Sequence, residues 1–333
     1  MPFAHVAPAR VPRVSIGLPV FNGEAFLREA IDSVLGQSFT DLELVISDNA
    51  STDATAEICR EYVARDPRVR YHCNDRNMGA ARNYGRAFAL ARGEYFKWLA
   101  ADDRIAPEFL SRAVEILDRE ASVAIALSRY TAIDERGQVL RTLDYDHEFR
   151  GSAPVRIRKL FDHPQGTEHP HWGLLRTSVA RKTGLLRTFI GSDFFLSFEL
   201  VLHGETVQMP DHLIHFRIHD GAYSKKLRKE NRRDGMQGEA EAKWLDPSNR
   251  GSIFLPHWNL VAQYFKAIAG SEHRISDRVA MLVALLYPLA FRWRLMLLKE
   301  ALFAAGLGGA YVRIRDLWRR AFPRAEDPSG QAV

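Results

Sequence analysis

Cysteine is nearly absent: 333 residues carry two, Cys59 and Cys73. Two are too few for a disulfide framework. A reducing compartment is expected, with both thiols packed in the core, on the second helix and the third strand. Long apolar runs are missing too. Val279–Phe291 is broken by Pro288 and stopped by Arg292 and Arg294, short of the about 20 residues that a membrane-spanning helix needs. Met1–Arg13 has no apolar centre and does not read as a signal peptide. Charge of one sign is also scarce. A formal net charge of +5 argues against a dedicated nucleic-acid binder, and no DNA- or RNA-reading motif occurs. It suits a phosphate-bearing substrate or an anionic membrane surface better. No glycine-rich basic loop follows the first strand, where the acidic Phe21-Asn22-Gly23-Glu24 stands instead. There is no internal repeat.

What is present is a regular alternation. A hydrophobic content of 46% supports a large core and one or two domains. Strands are expected at Val14–Val20, Leu42–Ser47, Val69–Cys73, Tyr95–Leu99 and Val123–Thr131. Between them Leu27, Ala30, Ile31 and Val34 form a helical stripe, and Ile58, Tyr62 and Val63 form a second. Helices are also expected over Arg82–Ala91, ended by Gly93, and over Pro107–Arg119. This alternation predicts a mostly parallel sheet with helices on both faces. Ala132–Ser152 is polar and turn-rich, a link into a second half.

Three strand ends carry polar, turn-forming residues, and in open α/β sheets ligands bind there. Asp102 and Asp103 follow Tyr95–Leu99. Adjacent carboxylates at such a place can hold a hard divalent cation that bridges phosphate oxygens; they can equally cap the helix that Pro107 opens. Asp48 ends the second strand, before Thr52 or Asp53 caps the next helix, and can accept hydrogen bonds from a nucleobase edge. Phe21–Glu24 ends the first strand. Asn77, Gly79, Arg82 and Asn83 open a helix whose N–H groups can face an anion. There Arg82 bonds a phosphate or the Asp48 region, or is simply solvated.

In order and spacing, four stretches resemble the family 2 glycosyltransferases of the GT-A fold: Val14–Glu24, Val45–Asp53, Asn77–Asn83 and Leu99–Asp103. The likeness runs over roughly residues 14–220. It implies an inverting transfer from a nucleoside-diphosphate sugar (UDP or dTDP type) with Mn²⁺ or Mg²⁺. It carries donor binding onto Pro19, Phe21, Asn22, Glu24, Asp48, Asn77, Arg82, Ala101 and Asp102, with Asp102 also on the metal. The family usually shows Asp-x-Asp-Asp here, and Ala100 replaces the first acid, which normally contacts the donor's ribose or sugar.

Further along, Gly191-Ser192-Asp193 opens an apolar helix. The family's Glu-Asp stands there, its second acid the catalytic base. Asp193 fits that place and Ser192 replaces the first acid. Without a covalent intermediate one base suffices to take the acceptor hydroxyl's proton; capping this helix is the other reading. In Phe216–Ser224, which also resembles a family segment, His219 is a candidate metal or diphosphate contact, or a structural histidine. Arg217 is a candidate for neutralising the diphosphate. Lys225–Arg233, with six basic residues and one acidic, is a flap over that group or a solvated loop. Trp172 stacks on an acceptor sugar or packs in the core.

The chain thus divides into a tail (1–13), a glycosyltransferase domain (14–224, with a nucleotide-sugar half to 131 and an acceptor half from 132) and a basic, helical C-terminal region (225–333). In that region Leu295–Leu307 continues the apolar pattern, Gly308-Gly309 follow, and Arg313–Arg320 with Trp318 is basic. These helices bind a membrane surface, pack on the catalytic domain or join a second subunit as a homodimer. The expected acceptor is a glycan or a lipid-linked sugar in polysaccharide or glycoconjugate synthesis, and the expected location the cytoplasm, with or without peripheral attachment to the inner face of the membrane. Two other classes remain: a nucleotidyltransferase of related α/β fold, against which the missing phosphate loop counts, and a degenerate sugar- or membrane-binding module, against which Asp193 counts.

Overall fold

A computed structural model describes residues 11–162, 170–221, 239–248 and 255–305. Lys225–Arg233, Gly308-Gly309 and Arg313–Arg320 lie outside the described residues. Among the described residues, nine strands form one mixed sheet in the order β3-β2-β1-β4-β8-β6-β9-β5, with β7 paired to β6. β1 (Val14–Val20), β2 (Leu42–Asp48), β3 (Val69–Cys73) and β4 (Tyr95–Trp98) are all parallel. Their apolar runs are buried because helices cover both faces: α1 (Leu27–Leu35), α2 (Thr55–Arg65), α3 (Ala80–Leu90) and α4 (Phe109–Arg119). The α1 stripe of Leu27, Ala30, Ile31 and Val34 is buried as its spacing predicts.

Beyond β4 the sheet departs from the expected parallel pattern. A three-residue strand, β8 (Leu174–Arg176), runs antiparallel between β4 and β6 (Val123–Ile133). β9 (Glu205–Arg217) lies parallel to β6 and carries β5 (Arg104–Ile105) antiparallel on its other side. The stretch expected as turns holds β7 (Val139–Leu143), hairpinned to β6. The Asp134 carboxylate accepts from the N–H groups of Arg136 and Gln138 to form that turn. Only Leu143 of β7 is buried, so no apolar signal marks it. α3 begins and ends earlier than expected, and Gly93 serves strand entry instead: a Cβ there would lie 2.6 Å from the Ser15 nitrogen. Cys59 is buried, and burial pushes its thiol up to about 12. Cys73, on the edge strand β3, is exposed and not core.

A second apolar cluster builds the other half. α5 (Ala153–Asp162), α6 (Thr177–Ala180) and α7 (Ser192–His203) precede α8 (Glu239–Leu245), α9 (Pro256–Gly270), α10 (Ile275–Tyr287), a π-helical turn (Pro288–Arg292) and α11 (Arg294–Ala304). Phe195, Phe198, Tyr264, Met281 and Leu285 meet there. The C-terminal helices therefore pack on the second half. The outer face of α10 still exposes Ile275, Val279, Val283 and Leu286, each 54–78% accessible. No described helix is long and apolar enough to cross a membrane.

Candidate active site

β1 lies between β2 and β4, so chain order reverses beside it. The crevice at such a switch point is where α/β sheets bind ligands. The carboxyl ends of all three strands face it. The loop after β1 is tied to the loop after β2 by reciprocal bonds. Asn22 accepts from the Thr52 N–H, and Glu24 from the Ala54 N–H; Asp53 accepts in return from the Glu24 N–H. Asp53 also accepts from the Thr55 N–H, closing the first turn of α2. Pro19 is buried in β1, and Phe21 is exposed at its end. Asp48 is fully buried and accepts from the Ser51 N–H at 2.9 Å and the Tyr71 hydroxyl at 2.7 Å. Two bonds leave lone pairs on a carboxylate. Asn77 accepts from Asn49 Nδ2 and the Gly79 N–H. Arg82 does not reach the Asp48 region; its guanidinium pairs at 3.3 Å with Asp246, just past α8.

The Asp102–Asp103 loop does not cap α4, because β5 intervenes and α4 starts at Phe109. Asp102 Oδ2 stands 3.0 Å from His219 Nε2, and the Asp102 side chain is 34% accessible. Asp103 is half-buried and accepts from the Arg217 N–H at 2.9 Å. Burial, then the negative charge of Asp102, pushes the Asp103 carboxyl well above the usual carboxylate range. Lys97, alone in the apolar run of β4, is buried. Burial lowers its ammonium to about 7, and it donates to the Trp172 carbonyl. Ala101 packs against the first cluster, near Gly23.

Arg217 is placed otherwise than a free diphosphate ligand would be. Its side chain is 0% accessible. It donates to the carbonyls of Asp102, Asp134 and Glu135 and to the Glu29 carboxylate. Four of its five N–H groups are thereby used. Its guanidinium lies over Phe26, 4.5 Å from the ring centre, and the His219 ring meets Phe26 edge-on at 4.7 Å. One clamp thus fixes both the Asp102 loop and His219.

On the other side, Asp193 lies in the first turn of α7 and accepts from the Phe194 N–H at 2.8 Å. The N-cap position belongs to Gly191, at φ +75°. Trp172 is half-buried against the core of the sheet and a cluster that joins Phe88, Phe96 and Trp98 to Leu196 and Leu200 of α7. It touches Tyr84 at 6.3 Å between ring centres and His171 at 4.7 Å; His171 Nδ1 bonds Ser197 of α7 at 3.0 Å. Trp172 therefore sits between α3 and α7.

Sequence reasoning missed Phe26, Glu29, Tyr71, Tyr84 and Lys97. Lys97 left one signal, a lone charge inside an apolar strand. Among the described residues no cluster of three His, Cys, Asp or Glu forms a metal site. Asp102 and His219 nevertheless supply a carboxylate oxygen and an imidazole nitrogen side by side, and this donor pair fits a manganese-type ion that keeps open positions.

Comparisons with known proteins bear on the family and the fold. The Glycosyl transferase family 2 model matches residues 15–184. An uncharacterized glycosyltransferase of Rickettsia typhi is 28% identical over 273 residues, 81% of this chain and 79% of that protein. A chondroitin synthase of Escherichia coli is 34% identical over 131 residues, 39% of this chain and 19% of that one. The chain spans 22% of the length of another glycosyltransferase relative. Staphylococcus aureus TarS (residues 1–349, in complex with UDP-GlcNAc) superposes with a TM-score of 0.61 at 16% identity, covering 84% of this chain and 73% of that one; this likeness concerns the fold. A mixed α/β sheet of GT-A type, strand-end acids at its switch point and a family match over half the chain lead to one assignment: the chain belongs to glycosyl transferase family 2.

Proposed function

We propose that the chain transfers a sugar, with inversion, from a nucleoside-diphosphate sugar to a glycan or lipid-linked acceptor, using a divalent cation. The observation that carries this reading is the Asp102–His219 pair, 3.0 Å apart at the end of β4, with Asp193 opening α7. Asp102 and His219 would hold the cation, Mn²⁺ or Mg²⁺. When bound, it supplies positive charge to the departing diphosphate. Asp48 and Tyr71 frame the base end of the crevice. Phe21 offers an exposed ring beside them, and Asn77 shapes the loop before α3. UDP is the donor nucleotide we favour, since TarS binds UDP-GlcNAc.

Asp193 accepts the acceptor hydroxyl's proton. The freed oxygen bonds to the anomeric carbon while the bond from that carbon to the diphosphate breaks. A single displacement inverts the centre, so no nucleophile on the protein is needed. Trp172 offers the acceptor an aromatic edge between α3 and α7. The apolar face of α10 supports attachment to a membrane surface, which suits a lipid-linked acceptor.

The test is a screen of nucleotide sugars for hydrolysis and transfer with Mn²⁺, run on wild type and Asp193→Asn. Asparagine keeps a side-chain oxygen for the Phe194 N–H that Asp193 now accepts from, so the substitution is aimed at the proton-accepting role. Turnover should fall about 10²–10⁴-fold with nucleotide affinity and melting temperature unchanged. Turnover within about threefold of wild type, against a base effect of that size, would place the base elsewhere.

A further inference from the structure

The segment before α8 lies outside the described residues, but α8 itself touches both halves of the crevice. At its start Glu241 Oε1 accepts from the Gly191 N–H at 3.0 Å. Gly191 is the residue on which α7 opens, and its φ of +75° is a conformation that suits glycine and little else. A Cβ there would also lie 3.1 Å from Leu260 of α9. At the other end of α8, the Leu245 carbonyl packs so closely on Gly79 that a Cβ at Gly79 would lie 2.4 Å from it. Asp246 pairs with Arg82 one turn further along α3. Seven residues thus run from the donor helix to the helix that carries the base.

Glu241 is mostly shielded from water. Burial, and then the charge of Asp193, raises its carboxyl above the ordinary value; its bond from Gly191 works the other way. A carboxylate kept in an apolar setting beside another acid is destabilising unless its bond does something. That bond holds the peptide immediately before Ser192-Asp193. The Ser192 side chain adds no anchor: its hydroxyl is buried and has no hydrogen-bond partner, and only its N–H is held, by the Phe189 carbonyl at 3.1 Å. The start of α7 is thus held on one side by the preceding turn, through the Phe189 carbonyl, and on the other by α8, through Glu241.

We infer that Glu241 is a positioning residue for Asp193, and that α8 is the brace that sets the base against the donor-binding helix. The inference rests on Asp193 being the base. Its ligand-side consequence is a split in kinetics. Without the Gly191 bond, the first turn of α7 can rotate, and misplacement of a catalytic group by about 1 Å can cost about 10²-fold. Donor binding, made mainly at the ends of β1, β2 and β4, is left alone.

The experiment uses the full chain with Mn²⁺, the donor that wild type turns over, and UDP as the affinity probe. Glu241→Ala should lower kcat about 10²-fold with UDP affinity unchanged. Glu241→Gln keeps a carbonyl oxygen for the Gly191 N–H and should restore most of kcat. Hydrogen exchange at the Gly191 amide should be slow in wild type and Glu241→Gln, and fast in Glu241→Ala. Should Glu241→Ala fail to fold, Glu241→Asp, which withdraws the carboxylate by one methylene, takes its place with the same expectation. If both variants lose kcat equally, or neither does, the inference is overturned. If Asp193→Asn keeps its turnover, it is the base assignment that fails, whatever Glu241 does.

Discussion

Replacing Arg217 by methionine separates two roles for this side chain. If it touches the donor diphosphate, its loss weakens nucleotide binding and leaves the fold intact. If it is a clamp, both suffer. Its side chain is 0% accessible, while its partner Glu29 is 47% accessible, so that ion pair is solvent-screened and adds little. The three carbonyl bonds to Asp102, Asp134 and Glu135 are the larger part. At about 1.5 kcal/mol for each bond from a charged donor, their loss costs about 4–5 kcal/mol. For a chain of this size about 2 °C accompanies each kcal/mol, so melting should drop by about 8–10 °C. The Asp102 carbonyl is released as well, which loosens the candidate metal-binding carboxylate; supports of this kind are worth about 10–100-fold in metal affinity. Thermal melting and calorimetry of UDP with Mn²⁺ on one preparation read both effects. A melting point within about 2 °C of wild type, less than the loss of one such bond, would refute the clamp.

Asp102→Ala should abolish the gain in UDP affinity that Mn²⁺ brings to wild type, and calorimetry with and without the ion measures it; equal wild-type affinities would remove the metal role. The full-length protein should co-sediment with anionic vesicles and be released by salt. Val279→Glu with Val283→Glu should weaken this, since they put charge on the exposed face of α10; failure of wild type to sediment at low salt would make that face a protein contact. Burial acts to raise the Glu43 carboxyl, but bonds from Arg92, Ser15 and Arg70 outweigh it, and the net shift is downward. Its stabilisation is therefore present above the unfolded value of about 4.3 and lost as pH falls through the lower folded value. Glu43→Gln should be destabilised at neutral pH and converge on wild type in acid, as melting against pH will show.

The parts of the fold that could be read from the chain are those with local signals. The α1 stripe and the buried runs of β1, β2 and β4 follow from spacing alone. The polar strand ends are legible as turn formers, although the bonds that join Asn22 and Glu24 to Thr52, Asp53 and Ala54 cross from one loop to the next. What could not be read depends on distant pairing. β8 is three residues long and inserts antiparallel between β4 and β6, and nothing in Leu174-Leu175-Arg176 specifies those neighbours. Arg217 reads like an arginine waiting for an anion, because its partner Glu29 lies 188 residues away. Glu241 looks like any acid on a short helix. Its place at Gly191 is a property of how α8 docks.

The contrast between the two thiols has a practical consequence. Cys59 lies on the buried face of α2 and, with burial pushing its thiol up to about 12, should stay inert toward alkylating reagents, since the thiolate is the reacting form. Cys73 is exposed and stands in register with Asp48 on the neighbouring strand. Among the natural residues it is a single addressable handle beside the expected nucleobase pocket. A small environment-sensitive dye attached there, with no cysteine to remove first, makes the native sequence its own optical titration probe for nucleotide sugars.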